Sequence, residues 1–314
     1  MAVAKRTSLA LPVAEPFEFG RSAEFAERFV PSTDSIVCLR DAVVTGGFAP
    51  EPFVAHLSVD GYGSAGRRTQ AADTDDSGLV HARVQWVDEP GEGSAVATHL
   101  DAVLSLSTDL SPLYDAAGSD PAFARVVADV CGYHPLRFTT PFEAACWTAL
   151  SRRTPTPVAV RRKRSLADAV GRVVSVDHAD LRLFPTPERV AAAPDAVRAT
   201  LSDRTARTVL DAAEAFAEED LDSLPTPTLV ARLRGIRGFD RRSAAAVGLR
   251  GFGRASLLPL GERRLRAAVA DAYGLESASD DDVERLSEHY GDYRGYWARY
   301  LRAWASLRTD DESD

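Results

Sequence analysis

The residues with the clearest chemical potential lie in one run, "GFDRRSAAAVGLRGFGRASLLPLGERRLRAAV", from Gly238 to Val269. It reads as a tight turn, a helix of small residues, a loop and a second helix. Glu262 falls where the loop meets the second helix, among Arg250, Arg254, Arg263, Arg264 and Arg266. A carboxylate there has two readings. It is a catalytic group, or it is a helix-start acid that offsets Arg263, Arg264 and Arg266 and favours the positive end of the helix dipole.

Just upstream, "LVARLRGIRGF" forms a helix ending in a glycine-containing turn, and "DRRSAAAVGL" starts a second helix beside it. Asp240 can cap that helix, and the first amides of such a helix point outward. Two helices joined by so short a turn make a seat for a phosphate. Ala244, Ala245 and Ala246 are small enough for another backbone to pack closely. A third stretch, "RRTPTPVAVRRKR" from Arg152 to Arg164, carries six positive charges and no acid. In a chain of net charge −9 this reads as phosphate contact rather than a solvated basic loop.

At 314 residues the chain has room for two domains. A pI near 5.3 argues against general nucleic-acid binding, but the distribution of charge matters more than its sum. The only lysines are Lys5 and Lys163, so 35 of the 37 basic residues are arginine. Acid-rich and lysine-poor is the pattern of a salt-adapted cytoplasmic protein, and against that background clusters of arginine carry information. Cys38, Cys131 and Cys146 form no CxxC pair and no cluster, which argues against a disulfide framework, a zinc site and an iron–sulfur cluster. No apolar run approaches the ~18 residues of a membrane helix. "LALPVAEPF" is too short and too broken for a signal peptide, so the expected location is the cytoplasm. The histidines are scattered and have no assigned role.

Residues 34–107 alternate repeatedly, which predicts half-buried antiparallel strands. In "FVAHLSVD", Phe53, Ala55, Leu57 and Val59 share a face; in "VHARVQWV", Val80, Ala82, Val84 and Trp86 do; in "LDAVLSL", Leu100, Ala102, Leu104 and Leu106 do. "DGYGSAGRR", "DTDDSG" and "DEPGEGS" supply turns, and a short helix around Ser22–Phe29 precedes the sheet. Helical spacing takes over in "DPAFARVVADVCG", "PFEAACWTAL", "LDAAEAFAEEDL" and "TLVARL". The last helix, "RGYWARYLRAWASL", puts Tyr296, Tyr300, Leu301 and Trp304 on one stripe expected to be core. The predicted architecture is an α+β domain with an antiparallel sheet over 1–112, an all-α domain over 113–308, and an acidic disordered tail over 309–314.

The order of these parts resembles the helix–hairpin–helix DNA glycosylase superfamily. That family's pattern reads roughly L-P-G-[IV]-G-x-W-T-A, then L-R-G, then F-P-x-G-D; here the run is "IRGFDRRSA", then "LRGFG", then "LPLGE", with no gap between Leu249-Arg250-Gly251 and Pro259-x-Gly261-Glu262. "LFPTPERVAAAP" looks like the family's F-P-T-P segment, "YRGYWARYLRAW" like its C-terminal helix, and "FEAACWTALSRR" like the helix that ends in I-x-G-Q-Q. The N-terminal α+β domain is similar to that of the 3-methyladenine DNA glycosylase II branch, so the resemblance covers nearly the whole chain.

The resemblance implies base excision from double-stranded DNA by a monomer. A damaged, alkylated-type base is rotated into a cleft and its N-glycosidic bond is cut. By register, Gly238, Phe239, Asp240, Arg241 and Ser243 of the hairpin hold DNA, joined by Arg161 and Arg162 from the basic stretch. The carbonyls of Arg234, Ile236 and Phe239 bind a monovalent cation, and no other cofactor is implied. Glu262 faces the sugar, where a carboxylate stabilises the positive charge that builds as the base departs. Arg152, Arg153 and Arg242 fall at base-pocket or wedge positions, Arg153 where a residue plugs the gap left by the flipped base. The departures are specific: Glu262 replaces the family's aspartate, Asp240 the second hairpin glycine, Arg242 the pocket tryptophan, and Arg152-Arg153 the Q-Q pair. An arginine in place of the stacking tryptophan would repel a cationic base or hydrogen-bond a neutral one. The scarcity of lysine predicts a monofunctional enzyme, because strand-nicking relatives use a lysine amine to form a Schiff base. The alternative is a catalytically diverged or inactive DNA-binding, damage-sensing relative with the same fold.

Overall fold

A computed structural model describes residues 6–29, 34–38, 42–59, 78–176 and 179–311. Strands β1 (Arg6–Pro12), β2 (Ile36–Cys38), β3 (Val43–Phe48), β4 (Pro52–Ser58) and β5 (Leu79–Trp86) form one antiparallel sheet in the order β1-β5-β4-β3-β2. The alternation sets its register. Phe53 pairs with Trp86, Ala55 with Val84 and Leu57 with Ala82, and all six side chains are buried on the same face. A one-residue slip would turn that face to the other side, at about 1.5–3 kcal/mol for each large apolar side chain lost from the core. The turn-rich "DGYGSAGRR" and nearly all of "DTDDSG" lie outside the described residues.

Two helices cover that buried face, α1 (Phe19–Arg28) and α2 (Gly93–Leu104). The second corrects a predicted strand. "LDAVLSL" alternates, but the buried set is Val96, Leu100, Val103 and Leu104, which is helical spacing. The alternation there is the overlap of two periods in a short apolar run.

The rest is helical apart from one hairpin. Helices α3 (Ser111–Ala117), α4 (Pro121–Asp129), α5 (Pro141–Ser151) and α6 (Thr156–Val170) come first. Strands β6 (Arg172–Val176) and β7 (Ala179–Leu183) then pair with each other, an addition to the all-α domain that was expected. Leu181 and Leu183 pack there on Val44 and Val54, the outer face of the five-stranded sheet. Helices α7 (Pro187–Ala191), α8 (Pro194–Thr200), α9 (Asp203–Glu218), α10 (Thr226–Gly235), α11 (Arg241–Arg250), α12 (Arg263–Tyr273) and α13 (Asp280–Ser287) follow. A 3-10 turn (Glu288–Tyr293) leads into α14 (Arg294–Asp311). Helix α14 thus runs three residues into the stretch expected to be a disordered tail; residues 312–314 lie outside those described.

The helices build two cores rather than one. The first joins α5 to α11 through residues such as Phe142, Leu166, Val209, Leu229 and Val247. The second joins α3 and α4 to α12–α14, with Phe123, Leu265, Val283, Trp297 and Tyr300 at its centre. Tyr296, Tyr300 and Trp304 are buried in it, as their spacing predicts. The chain passes between the two cores at residues 249–265, so the loop before Glu262 necessarily lines their junction. Among the described residues no helix is long and apolar enough to cross a membrane.

Candidate active site

Helix α10 ends at Gly235 and α11 begins at Arg241, with Gly238 at the turn in a left-handed conformation (φ 85°). A Cβ at Gly238 would also meet the Thr208 hydroxyl at 3.0 Å, so glycine is required twice over. Asp240 caps α11, its Oδ1 accepting the Ser243 N–H at 2.8 Å and the Ser243 hydroxyl at 2.9 Å. That N–H above all holds the Asp240 carboxyl below the usual aspartate range. Ser243 is buried, with both donors committed to Asp240, whereas Gly238 and Arg241 are exposed. Phe239 points into the first core, and its N–H donates to the Ile236 carbonyl at 3.0 Å. Arg234 closes α10.

Arg152 reaches this hairpin. One of its nitrogens donates to the Gly238 carbonyl and the other pairs with Asp240 at 3.1 Å. The acid that replaces a hairpin glycine thus carries its own counter-charge. Arg153, beside it, is exposed with a left-handed backbone (φ 52°), an uncommon state for a residue with a side chain.

Four charges of the basic stretch, Arg161 to Arg164, lie on α6, and they diverge. Lys163 points inward to a buried ion pair with Glu143 of α5 at 2.5 Å and donates to Ser35 at 3.1 Å. Arg164 forks onto Asp34 at 2.8 and 3.0 Å. Arg162 donates to Thr154, and Arg161 is exposed. These four charges do not make one surface, because a helix fans neighbours out by 100° per residue.

Glu262 is the N-cap residue of α12, yet its side chain makes no cap hydrogen bond. It turns away from its own helix into a cavity of about 190 Å³ at the junction of the two helical cores. There Oε1 accepts from Arg250 and Oε2 from Arg302, each at 2.6 Å. The partners expected from sequence are not the ones found. Arg266 pairs with Asp280 at 3.0 Å, and Arg264 lines the cavity with no ion pair or hydrogen bond among the described residues. Gly261 (φ 84°) turns the chain just before the acid, and its N–H donates to Asp280 at 3.0 Å. A Cβ on it would strike the Arg242 guanidinium. Arg242 accordingly lies over the Gly261 turn and pairs with Asp280 at 3.3 Å; it is not among the residues lining the cavity.

Three residues of the cavity wall come from α1 and its C-cap, which the sequence gives no reason to place at the site: Phe25, Arg28 and Phe29. Trp147 of α5 also lines the cavity. Arg302 is three-quarters covered, and burial lowers its pKa to about 10 against the opposing pull of Glu262; Arg250, Arg264 and Arg299 lower it further. It remains charged at neutral pH. Among the described residues no group of His, Cys, Asp and Glu could hold a metal ion.

No protein-family model matches the chain, and no curated protein does. Solved structures do. A 3-methyladenine DNA glycosylase from Archaeoglobus fulgidus superposes with a TM-score of 0.74 at 18% identity, covering 98% of this chain and 99% of that one. The Clostridium acetobutylicum 8-oxoguanine glycosylase/lyase, in complex with double-stranded DNA containing cytosine opposite the lesion, gives 0.69 at 14% identity over 98% of both chains. A 3-methyladenine DNA glycosylase of Schizosaccharomyces pombe, bound to abasic DNA, gives 0.50 at 21% identity and covers 62% of this chain and 95% of that one. At these identities the likeness establishes the fold alone, which this chain shares with these solved DNA glycosylase structures.

Proposed function

We propose that this protein is a DNA glycosylase that hydrolyses the N-glycosidic bond of a base flipped out of duplex DNA. The observation that carries the reading is the orientation of Glu262. Its carboxylate makes no cap bond to α12 but lines a cavity and is held there by two guanidinium groups.

The hairpin meets the DNA backbone with the Gly238 N–H, the first amides of α11 and the side chain of Arg241, and Arg161 adds charge from α6. Asp240 and Ser243 act indirectly, by fixing the turn. The carbonyls of Arg234, Ile236 and Phe239 are neutral oxygens at a helix end, a donor set that suits a monovalent cation; such an ion would stiffen the hairpin. Arg153, exposed on a left-handed turn between α5 and α6, is the wedge that enters the vacated stack. Glu262 faces C1′ of the extruded nucleotide. As the base departs, positive charge spreads over C1′ and the ring oxygen, and the carboxylate stabilises it in a site partly closed to water. Water then adds to C1′. Arg250 and Arg302 fix the carboxylate geometry.

The product is an abasic site in an intact strand. A lyase needs an amine, and Lys163 is bound to Glu143 inside the protein. Incubation with a lesion-bearing duplex should give strand breaks only after alkali, and borohydride should trap no covalent adduct; trapping would contradict the assignment. The second reading, a damage-binding protein without catalysis, draws on the two arginines that partly neutralise Glu262. It predicts tight binding to lesion-bearing duplexes and no base release.

A further inference from the structure

The cavity at Glu262 is crowded with positive charge. Arg28, Arg250, Arg264, Arg299 and Arg302 line it, against the single carboxylate. Arg250 and Arg302 are tied to Glu262, and Arg299 donates to the Leu136 carbonyl, so these are fixed in place. Arg264 alone of the five is both exposed and without a partner among the described residues, so its donors are open to a ligand. Burial is the main cause of the depressed pKa of Arg302, and the charges of Arg250, Arg264 and Arg299 lower it further. Trp147 also lines the cavity, and about 190 Å³ suits a single ring system rather than a larger ligand.

From this geometry, and resting on the glycosylase reading, we infer that the substrate is a neutral damaged base bearing a ring carbonyl, which leaves as an anion stabilised by Arg264, and not a cationic alkylated base. The chemistry differs between the two at one bond. When the C1′–N bond breaks, its electron pair goes with the base. A base alkylated to a cation becomes neutral by accepting that pair and needs no help to leave. Its entry into a cavity of net positive charge is opposed. A neutral base becomes an anion, with the charge delocalised onto its carbonyl oxygen, where a guanidinium donor binds it strongly. Water supplies the C1′ hydroxyl, and the proton it sheds ends on the departed base. Arginine does not give up its own proton, so Arg264 acts by charge and hydrogen bonding alone.

The test uses the full-length protein and three duplexes, each with a single hypoxanthine, 8-oxoguanine or 7-methylguanine. Single-turnover base release is measured after subtraction of spontaneous loss. At least one neutral base should leave about tenfold faster than 7-methylguanine, and Arg264→Glu should cut that rate by about tenfold or more while raising release of 7-methylguanine. Arg264 is exposed and unpaired, so the variant should melt with the wild type. Faster release of 7-methylguanine, or a preference that Arg264→Glu leaves unchanged, overturns this inference and leaves the glycosylase reading standing. No release from any of the three duplexes removes the glycosylase reading, and this inference with it.

Discussion

Asp240 and Glu262 are both N-cap residues of helices, and the two acids face opposite ways. Asp240 bends back onto α11 and accepts the Ser243 N–H, the ordinary behaviour of an N-cap. Glu262, at the same position on α12, leaves its helix amides alone and reaches two arginines 12 and 40 residues away in sequence. One extra methylene separates the side chains. Aspartate is short enough to cap, whereas glutamate is long enough to cross to Arg250 and Arg302. The difference separates an acid that builds local structure from one that local structure presents to a cleft.

Swapping the shorter acid into the second site should break the distinction most severely. Glu262→Asp withdraws the carboxylate by about one C–C bond, ~1.5 Å. In a preorganised site a displacement of that order costs about a hundredfold in rate. Stability should be unchanged or slightly higher, because an aspartate there can cap α12 as Asp240 caps α11. Single-turnover base release and a thermal melt on the same preparation check both halves. Loss of stability with unchanged rate would mean that Glu262 is structural.

The converse change should show a smaller effect of the opposite kind. Asp240→Ala removes a true cap and should cost about 1 kcal/mol of stability, with the rate of base release from saturated complexes held near wild type. Thermal or urea unfolding gives the first quantity. The loss should also depend on pH. Hydrogen bonding from Ser243 lowers the Asp240 carboxyl in the folded state, so its contribution is present above the ordinary aspartate range and is lost as pH falls through the depressed value. The gap between wild type and Asp240→Ala should therefore narrow in acid. A gap constant down to the lowest pH at which the protein folds would count against the cap.

The same contrast explains what could be read in the sequence. The hairpin was legible because its determinants are local: a glycine at the turn, an acid three residues before Ser243 and small residues along α11. The buried faces of β4 and β5 were legible because a period of two needs only neighbours. The position of Glu262 at a helix start was legible too. Its partners were not, since Arg302 lies on a different helix and only the packing of α14 against α12 brings it near. Lys163 was hidden within a charge run whose meaning depends on Glu143, on α5. The α1 contribution of Phe25 and Phe29 had no signal at all, because nothing in a ten-residue amphipathic helix says which domain its ends will touch. Short apolar runs hold less information: Leu100–Leu106 fits both periods, and in β6 only Val174 and Val176 share a face, within a stretch that otherwise reads as helical.

The central claim, that Glu262 is held by Arg250 and Arg302 in order to act on the sugar of an extruded nucleotide, is tested most directly by Glu262→Gln. Glutamine keeps the length and the hydrogen-bonding oxygen but removes the charge. Single-turnover base release should fall by about a hundredfold or more, while affinity for the same lesion-bearing duplex stays constant or tightens, because a negative charge near phosphates is gone. Base release at the wild-type rate in Glu262→Gln would contradict the account.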